Sequence, residues 1–321
     1  MNIKQFQSTF NKLADNINSV IHGKEDVVRL ALIAICAQGH VVFEDVPGVG
    51  KSMLARAIGA SMNAETSRVQ CTPDMLPGDI TGSSIIDNRK GKMDFVFREG
   101  PIFTNVLLVD EINRATPKTQ SALLEAMAEA QVTVEGVTHD LPDPFLVLAT
   151  QNPVEQAGTF PLPEAQLDRF LFRLTMGYPG LEAERLVVRG NSRNLEVKTL
   201  KPVCDAAAVR QLIDLASEVE VTEPVETYIL EVVQATRQDP ALLMAASPRA
   251  SISLVRAGRA MAAADGREQV YPEDVRALLN PVLNHRILLT PDALLRGETV
   301  DDVLERAISR IKAPMGLQPV A

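Results

Sequence analysis

Two short stretches of this chain carry residue types that could do phosphate chemistry. The first is Asp45-Val46-Pro47-Gly48-Val49-Gly50-Lys51-Ser52. It comes after the apolar run Val41-Val42-Phe43 and precedes a helical pattern, the context a Gly-x-x-x-x-Gly-Lys-[Ser/Thr] phosphate loop requires. Gly48 and Gly50 allow backbone N–H groups to close around phosphate oxygens at the positive end of the following helix. Lys51 is expected to reach the β- and γ-phosphates of a nucleotide, and the Ser52 hydroxyl to ligate magnesium. The expected nucleotide-binding segment is thus Val46, Pro47, Gly48, Val49, Gly50, Lys51, Ser52 and Met53. Asp45 stands where the motif has its first glycine, which predicts a less sharp turn at the start of the loop.

The second stretch is Val106-Leu107-Leu108-Val109-Asp110-Glu111, an apolar run ending in two carboxylates. Parallel sheets bind ligands at the carboxyl ends of their strands. Asp110 is expected to hold magnesium through water, and Glu111 to orient and polarise an attacking water. The two stretches together point to ATP and Mg2+ as cofactors and to hydrolysis as the reaction. Other constellations fail. The four histidines (His22, His40, His139, His285) are scattered without metal-ligand spacing and suit turns or the core. Ser83-Ser84 and Cys71 lack any local nucleophile-activating motif.

The elements that must position these residues can be read from the apolar pattern. Wholly apolar runs at 41–43, 106–109, 145–148 and 170–172 suit strands buried on both faces of a parallel sheet. Helical stretches separate them; one starts with Thr116 as N-cap and Pro117 in its first turn, turning Leu123, Leu124 and Met127 inward. Residues 1–38 read as two helices, the second carrying Val27, Leu30, Ala31 and Ala34 on one face. Two insertions, about 73–100 and a hairpin at about 131–142 turning at Glu135-Gly136, are expected on the phosphate side of the sheet. Past Tyr178-Pro179-Gly180 the pattern predicts a polar stretch at 191–201 and then helices only. Their apolar faces are Val209, Leu212, Ile213 and Ala216; Val225, Tyr228, Ile229, Val232 and Val233; and Val275, Leu278, Leu279 and Val282. The division is an α/β domain over 1–178 and a small all-α domain over 179–321.

The totals exclude several classes. With 321 residues, 46% hydrophobic and 23% charged, the chain can bury a sizeable core. A net charge of −9, 4% aromatic residues and no Trp argue against nucleic acid as a partner, through long-range repulsion and the want of a stacking platform. Three cysteines (Cys36, Cys71, Cys204), far apart, fit a reducing compartment. The longest apolar run, 30–37, is far short of the ~20 residues of a spanning helix. With no signal-peptide core in Met1-Asn2-Ile3-Lys4-Gln5, the expected address is cytoplasmic, without membrane insertion.

Longer stretches make the pattern specific. Asp110-Glu111-Ile112-Asn113-Arg114-Ala115, Arg68-Val69-Gln70-Cys71-Thr72-Pro73-Asp74, Gly78-Asp79-Ile80-Thr81-Gly82, Ala149-Thr150-Gln151-Asn152-Pro153, Pro163-Glu164-Ala165-Gln166-Leu167-Asp168-Arg169-Phe170 and Ala246-Ser247-Pro248-Arg249-Ala250 occur in an order that resembles the MoxR family of AAA+ ATPases. The resemblance runs from about residue 20 to the end of the helical domain. It implies an AAA+ P-loop core, a parallel sheet covered by helices, followed by a small all-α lid. It implies that Asn152 is the sensor that positions the lytic water; taken alone, Asn152 before Pro153 is simply a turn. It implies that Arg169 is an arginine finger delivered into a neighbouring subunit; a surface salt bridge with Asp168 or Glu164 is the alternative. It implies that Arg249 is a second sensor arginine reaching from the lid onto the nucleotide; a solvated first-turn arginine is the alternative. Ile21-His22-Gly23 matches the segment covering adenine; taken alone it shows only a turn. The family's partners would be further copies in a ring, expected to be a hexamer, and a client protein with a von Willebrand factor A domain acting in trans. Chaperone-like maturation, often metal or cofactor insertion, is the implied role. A chelatase-like or Rubisco-activating motor is the alternative, with a nucleic-acid motor or an ATP-dependent switch behind it.

Overall fold

The computed structural model describes residues 1–87, 94–153, 158–191 and 196–314. The first part carries β1 (Val41–Glu44), β2 (Thr66–Gln70), β3 (Gly82–Asp87), β4 (Asp94–Glu99), β5 (Val106–Asp110), β6 (Gln131–Val134), β7 (Val137–Asp140), β8 (Leu146–Gln151) and β9 (Phe172–Leu174). Five of these form one parallel sheet in the order β2-β5-β8-β1-β9. Side chains alternate across it. Val41, Phe43, Val106, Leu108, Leu146 and Leu148 point into one apolar cluster, while Val42, Leu107, Val109, Val147 and Ala149 point into the other. Both faces are dry, which explains why these strands show no polar alternation.

Helices α1 (Ile3–Asn18), α2 (Glu25–Cys36), α3 (Lys51–Ser61), α4 (Pro77–Thr81), α5 (Pro117–Glu129) and α6 (Glu164–Leu167) complete this part. An Asn2–Gln5 capping box starts α1, and the Thr116 side chain accepts from the Thr119 N–H to start α5. The second part holds α7 (Leu181–Asn191), α8 (Glu196–Thr199), α9 (Ala206–Glu218), α10 (Glu223–Thr236), β10 (Leu242–Met244), α11 (Pro248–Ala264), α12 (Pro272–Leu283), β11 (Leu288–Leu289), α13 (Pro291–Leu295) and α14 (Val300–Ser309). The apolar faces expected on α9, α10 and α12 are all buried. Helix α2 is buried almost all round, with Val28, Leu32, Ile33 and Ile35 inside as well as Ala31 and Ala34, while Val27 and Leu30 are half-buried. It is covered by α1, α9 and α11, so one apolar cluster runs from the sheet through α1 and α2 into the helical part.

Thr66-Ser67-Arg68-Val69-Gln70, not among the apolar runs, is also a strand, at the sheet edge where only Val69 is buried. Three expectations need correction. The second part is not helices only, because β10 and β11 pair as a short antiparallel ribbon. The polar stretch at 191–201 contains the one-turn helix α8. The β6–β7 hairpin, turning at Glu135 (φ 52°) and Gly136 (φ 82°), comes after α5 and leads into the start of β8, so its base lies at the amino edge of the sheet, not the phosphate edge. Its His139 stacks on Phe97 of the other insertion at 4.0 Å between ring centroids, which ties the two hairpins together. Among the described residues no helix is long and apolar enough to cross a membrane, and no group of His, Cys, Asp or Glu is arranged to hold a metal by itself.

Candidate active site

Strands β5, β8 and β1 are neighbours, and the segments beyond their carboxyl ends converge. After β1 comes the loop that opens α3. Gly50 is the N-cap residue of α3 in the left-handed region (φ 102°) and Gly48 is there too (φ 88°), conformations that an L side chain resists. A Cβ on Gly48 would meet no atom within 4 Å, so the space beside the loop is open. Lys51 is buried; its ammonium donates to the carbonyls of Asp45 (3.2 Å) and Val46 (3.1 Å). Burial pulls its pKa below the ordinary lysine value, against Asp45, Asp110 and Glu111, which pull upward. An arriving phosphate would relieve that burial cost. Val49 faces the apolar cluster beneath.

At the end of β5, Asp110 is buried and paired with the Arg68 guanidinium on β2 at 2.7 Å. Glu111 adopts a left-handed backbone (φ 56°, ψ 51°), which costs a non-glycine residue of order 1 kcal/mol. Its N–H donates to the Thr150 hydroxyl on β8 (2.8 Å), and that hydroxyl donates to Asp110 (3.4 Å). Its carboxylate pairs with Arg114 at 3.1 Å. Pro47, Gly48, Gly50, Lys51, Ser52, Met53, Asp110, Glu111, Thr150 and Asn152 line one cavity of about 310 Å³. Helix N-terminal N–H groups, an ammonium, a hydroxyl and two carboxylates around one opening form a donor set that fits a nucleotide phosphate with magnesium.

Other expected residues lie elsewhere. Ile21 is buried in the apolar cluster, and Gly23 (φ 68°) turns the chain into α2. Arg169 precedes β9, at the amino edge of the sheet. It donates to the Leu124 carbonyl at 2.6 Å and lines a second cavity, of about 720 Å³, together with His40, Arg249, Arg256 and Arg286. Lys51 and Arg169 therefore sit at opposite ends of the strands, separated along them by the length of β1, about 13 Å at ~3.3 Å per residue. Arg249, expected on the nucleotide, lines the cavity on Arg169's side and not the phosphate-loop cavity of its own chain.

Arg68, Arg114, Thr150 and Arg286 carry site or joint contacts that sequence reasoning left without a role. Arg286 is buried, bonds Asp168 at 2.7 Å, and also donates to carbonyls of Phe170 and Leu171. It joins the helical part to the turn bearing Arg169. His40 is structural: it bridges the Met127 carbonyl (3.0 Å) and the Val147 N–H (3.1 Å), and burial lowers its pKa to about 4. Cys71 is buried, and burial, with a smaller push from Asp110 and Glu111, takes its thiol up to about 12.

The chain has similar proteins along nearly its whole length. Residues 40–172 match the ATPase family associated with various cellular activities (AAA), and residues 234–307 match the AAA lid domain. The chain is 47% identical to the uncharacterized protein YeaC of Bacillus subtilis, over 95% of this chain and 94% of that protein. It is 38% identical to the chaperone MoxR1 of Mycobacterium tuberculosis, over 95% of this chain and 82% of that one. A crystal structure of an ATPase candidate from Cytophaga hutchinsonii superposes with a TM-score of 0.90 at 36% identity, covering 97% of both chains.

Proposed function

This chain belongs to the MoxR family of AAA+ ATPases, and from that premise we propose that it is a ring-forming ATP hydrolase that remodels a client protein. The cavity at the carboxyl edge of the sheet would take ATP with Mg2+: the loop N–H groups and Lys51 would hold the phosphates, and Ser52 and Asp110 would hold the magnesium, which would neutralise phosphate charge. Glu111 polarises the attacking water and Asn152 helps to place it. Asp110 is paired with Arg68 and Glu111 with Arg114, so both carboxylates would have to leave these arginines to serve magnesium and water.

The observation that carries the ring is the separation of Lys51 from Arg169 and Arg249. An arginine at the amino edge of its own sheet cannot reach the phosphates at the carboxyl edge, but it can complete a neighbour's site. Both arginines are therefore assigned to the adjacent subunit's nucleotide, in a closed ring, a hexamer by family likeness. The ring acts in the cytoplasm on a client with a von Willebrand factor A domain, in a maturation step of the metal- or cofactor-insertion kind. Capture from host lysate with Glu111→Gln as bait, in ATP and then in ADP, tests this. Retention of a von Willebrand factor A protein only with ATP is expected; retention of a chelatase subunit, Rubisco or DNA instead would replace the client while leaving the ATPase.

A further inference from the structure

The phosphate-loop motif has a glycine where this chain has Asp45, and the structure gives that aspartate a partner outside the loop. Its backbone continues β1, with the N–H donating to the Gln151 carbonyl at 3.1 Å, so no glycine-only turn is needed there. The side chain is buried and accepts from the backbone N–H groups of Met176 and of Gly177, the latter at 3.2 Å. Residues 175–180 are the joint where the chain leaves β9 and enters the lid. The Met176 side chain in turn reaches over the far end of the loop, its Cε lying 3.8 Å from where a Cβ on Gly50 would stand. One residue further, the Tyr178 carbonyl accepts from Lys24 Nζ at 2.9 Å, next to the Gly23 turn.

The joint is thus fastened to both ends of the phosphate loop. We infer that Asp45 is a positioning residue that couples phosphate-loop occupancy to the core–lid joint. In the structure Lys51 donates to the Asp45 and Val46 carbonyls. A phosphate group draws that ammonium away and frees the carbonyls. The strand end bearing Asp45 then resettles, and the carboxylate carries the change to the Met176 and Gly177 amides. A carboxylate holding two N–H groups does this where glycine could not, because hydrogen bonds to an ionised acceptor are roughly twice as strong as neutral ones. This rests on the reading of the loop as the nucleotide site.

Hydrogen exchange at the 174–180 backbone, measured on the full chain with and without saturating Mg-ADP, tests the coupling. In the wild type these amides should change their exchange by at least about threefold on binding. Asp45→Ala should speed their exchange about tenfold without nucleotide, leave α5 and α12 unaffected, and abolish the response to Mg-ADP. Asp45→Asn, which keeps one acceptor oxygen, should fall between and recover part of the response. A uniform rise in exchange across α5 and α12 would overturn the proposal in favour of a merely structural aspartate. So would joint amides in Asp45→Ala that still respond as in the wild type. Calorimetry separates the two layers: a wild-type chain that binds no ADP removes the site reading and the coupling with it. Unchanged joint exchange in a chain that does bind ADP removes the coupling alone.

Discussion

Replacing Asp168 by Ala removes a contact between sheet and lid whose cost can be worked out. Asp168 Oδ1 lies 2.7 Å from Arg286 Nε, and its Oδ2 accepts from the Ser247 hydroxyl at 3.1 Å. The guanidinium is 2% exposed and the carboxylate 17%. Burial already pulls the Arg286 pKa down, and Asp168 is the group that opposes this. Carbonyl oxygens around the guanidinium solvate it but carry no countercharge. Removing one partner of a buried pair strands the other, at about 3–5 kcal/mol, and the part-exposed carboxylate puts this case near 3. At about 2–4 °C per kcal/mol for a chain of this order, the melting point should drop by roughly 6–12 °C. Calorimetric melting of Asp168→Ala, Arg286→Met and the double variant checks the reasoning. The double variant should recover more than about 1 kcal/mol of the summed losses, since no charge is left stranded. Additivity within about 0.5 kcal/mol, or a drop under about 2 °C for Asp168→Ala, would show that the pair is not coupled.

Lys51→Ala should lose ATP binding in calorimetry; tight binding by that variant would remove Lys51 from the site. Glu111→Gln should bind ATP yet hydrolyse it about 10²–10⁴-fold more slowly, as for loss of a general base, and brisk phosphate release would exclude Glu111 from the reaction. Arg169→Ala should lose about 10³-fold or more in turnover alone and regain part of it when mixed with Lys51→Ala, because each supplies what the other lacks. No rescue in mixed assemblies of confirmed size would sink the trans assignment. His40 takes up a proton in the unfolded chain near pH 6.5 but in the fold only at about 4. Its folded pKa is depressed, so stability is retained above pH 6.5 and falls as pH drops towards 4, by roughly 3 kcal/mol. His40→Gln, which can still donate to Met127 and accept from Val147, should flatten that part of a denaturation-versus-pH series; an unchanged slope would exclude His40 as its source.

Much of the site was legible because its chemistry is local. Val41-Val42-Phe43 and Val106-Leu107-Leu108-Val109 announce strands dry on both sides, and the residues just after them are what a phosphate and a metal need. Strand β2 was hidden because an edge strand buries one side chain, Val69, and reads as polar chain. The partners of the carboxylates were hidden for a different reason. That Arg68 meets Asp110 depends on the β2–β5 register, in which Gln70 stands opposite Asp110, and no local pattern encodes that register. Arg286, in Asn284-His285-Arg286, looks like a solvated turn arginine until the lid is packed against the sheet. The placement of Arg249 was likewise a question of how two parts are set against each other. Local spacing puts it at the start of a helix and says nothing about which edge of the sheet that helix approaches.

The apolar cluster that runs unbroken from the sheet through α1 and α2 into α9, α10, α11 and α12 bears on how the protein can be taken apart. Residue 178 divides the chain by pattern, yet no seam in the interior corresponds to it. A fragment ending there would present the α1 and α2 surfaces that α9 and α11 cover, a raw apolar face prone to aggregation. Autonomous folding thus belongs to the whole, and a graft of this lid onto a relative must carry α1 and α2 with it, although they lie at the other end of the chain.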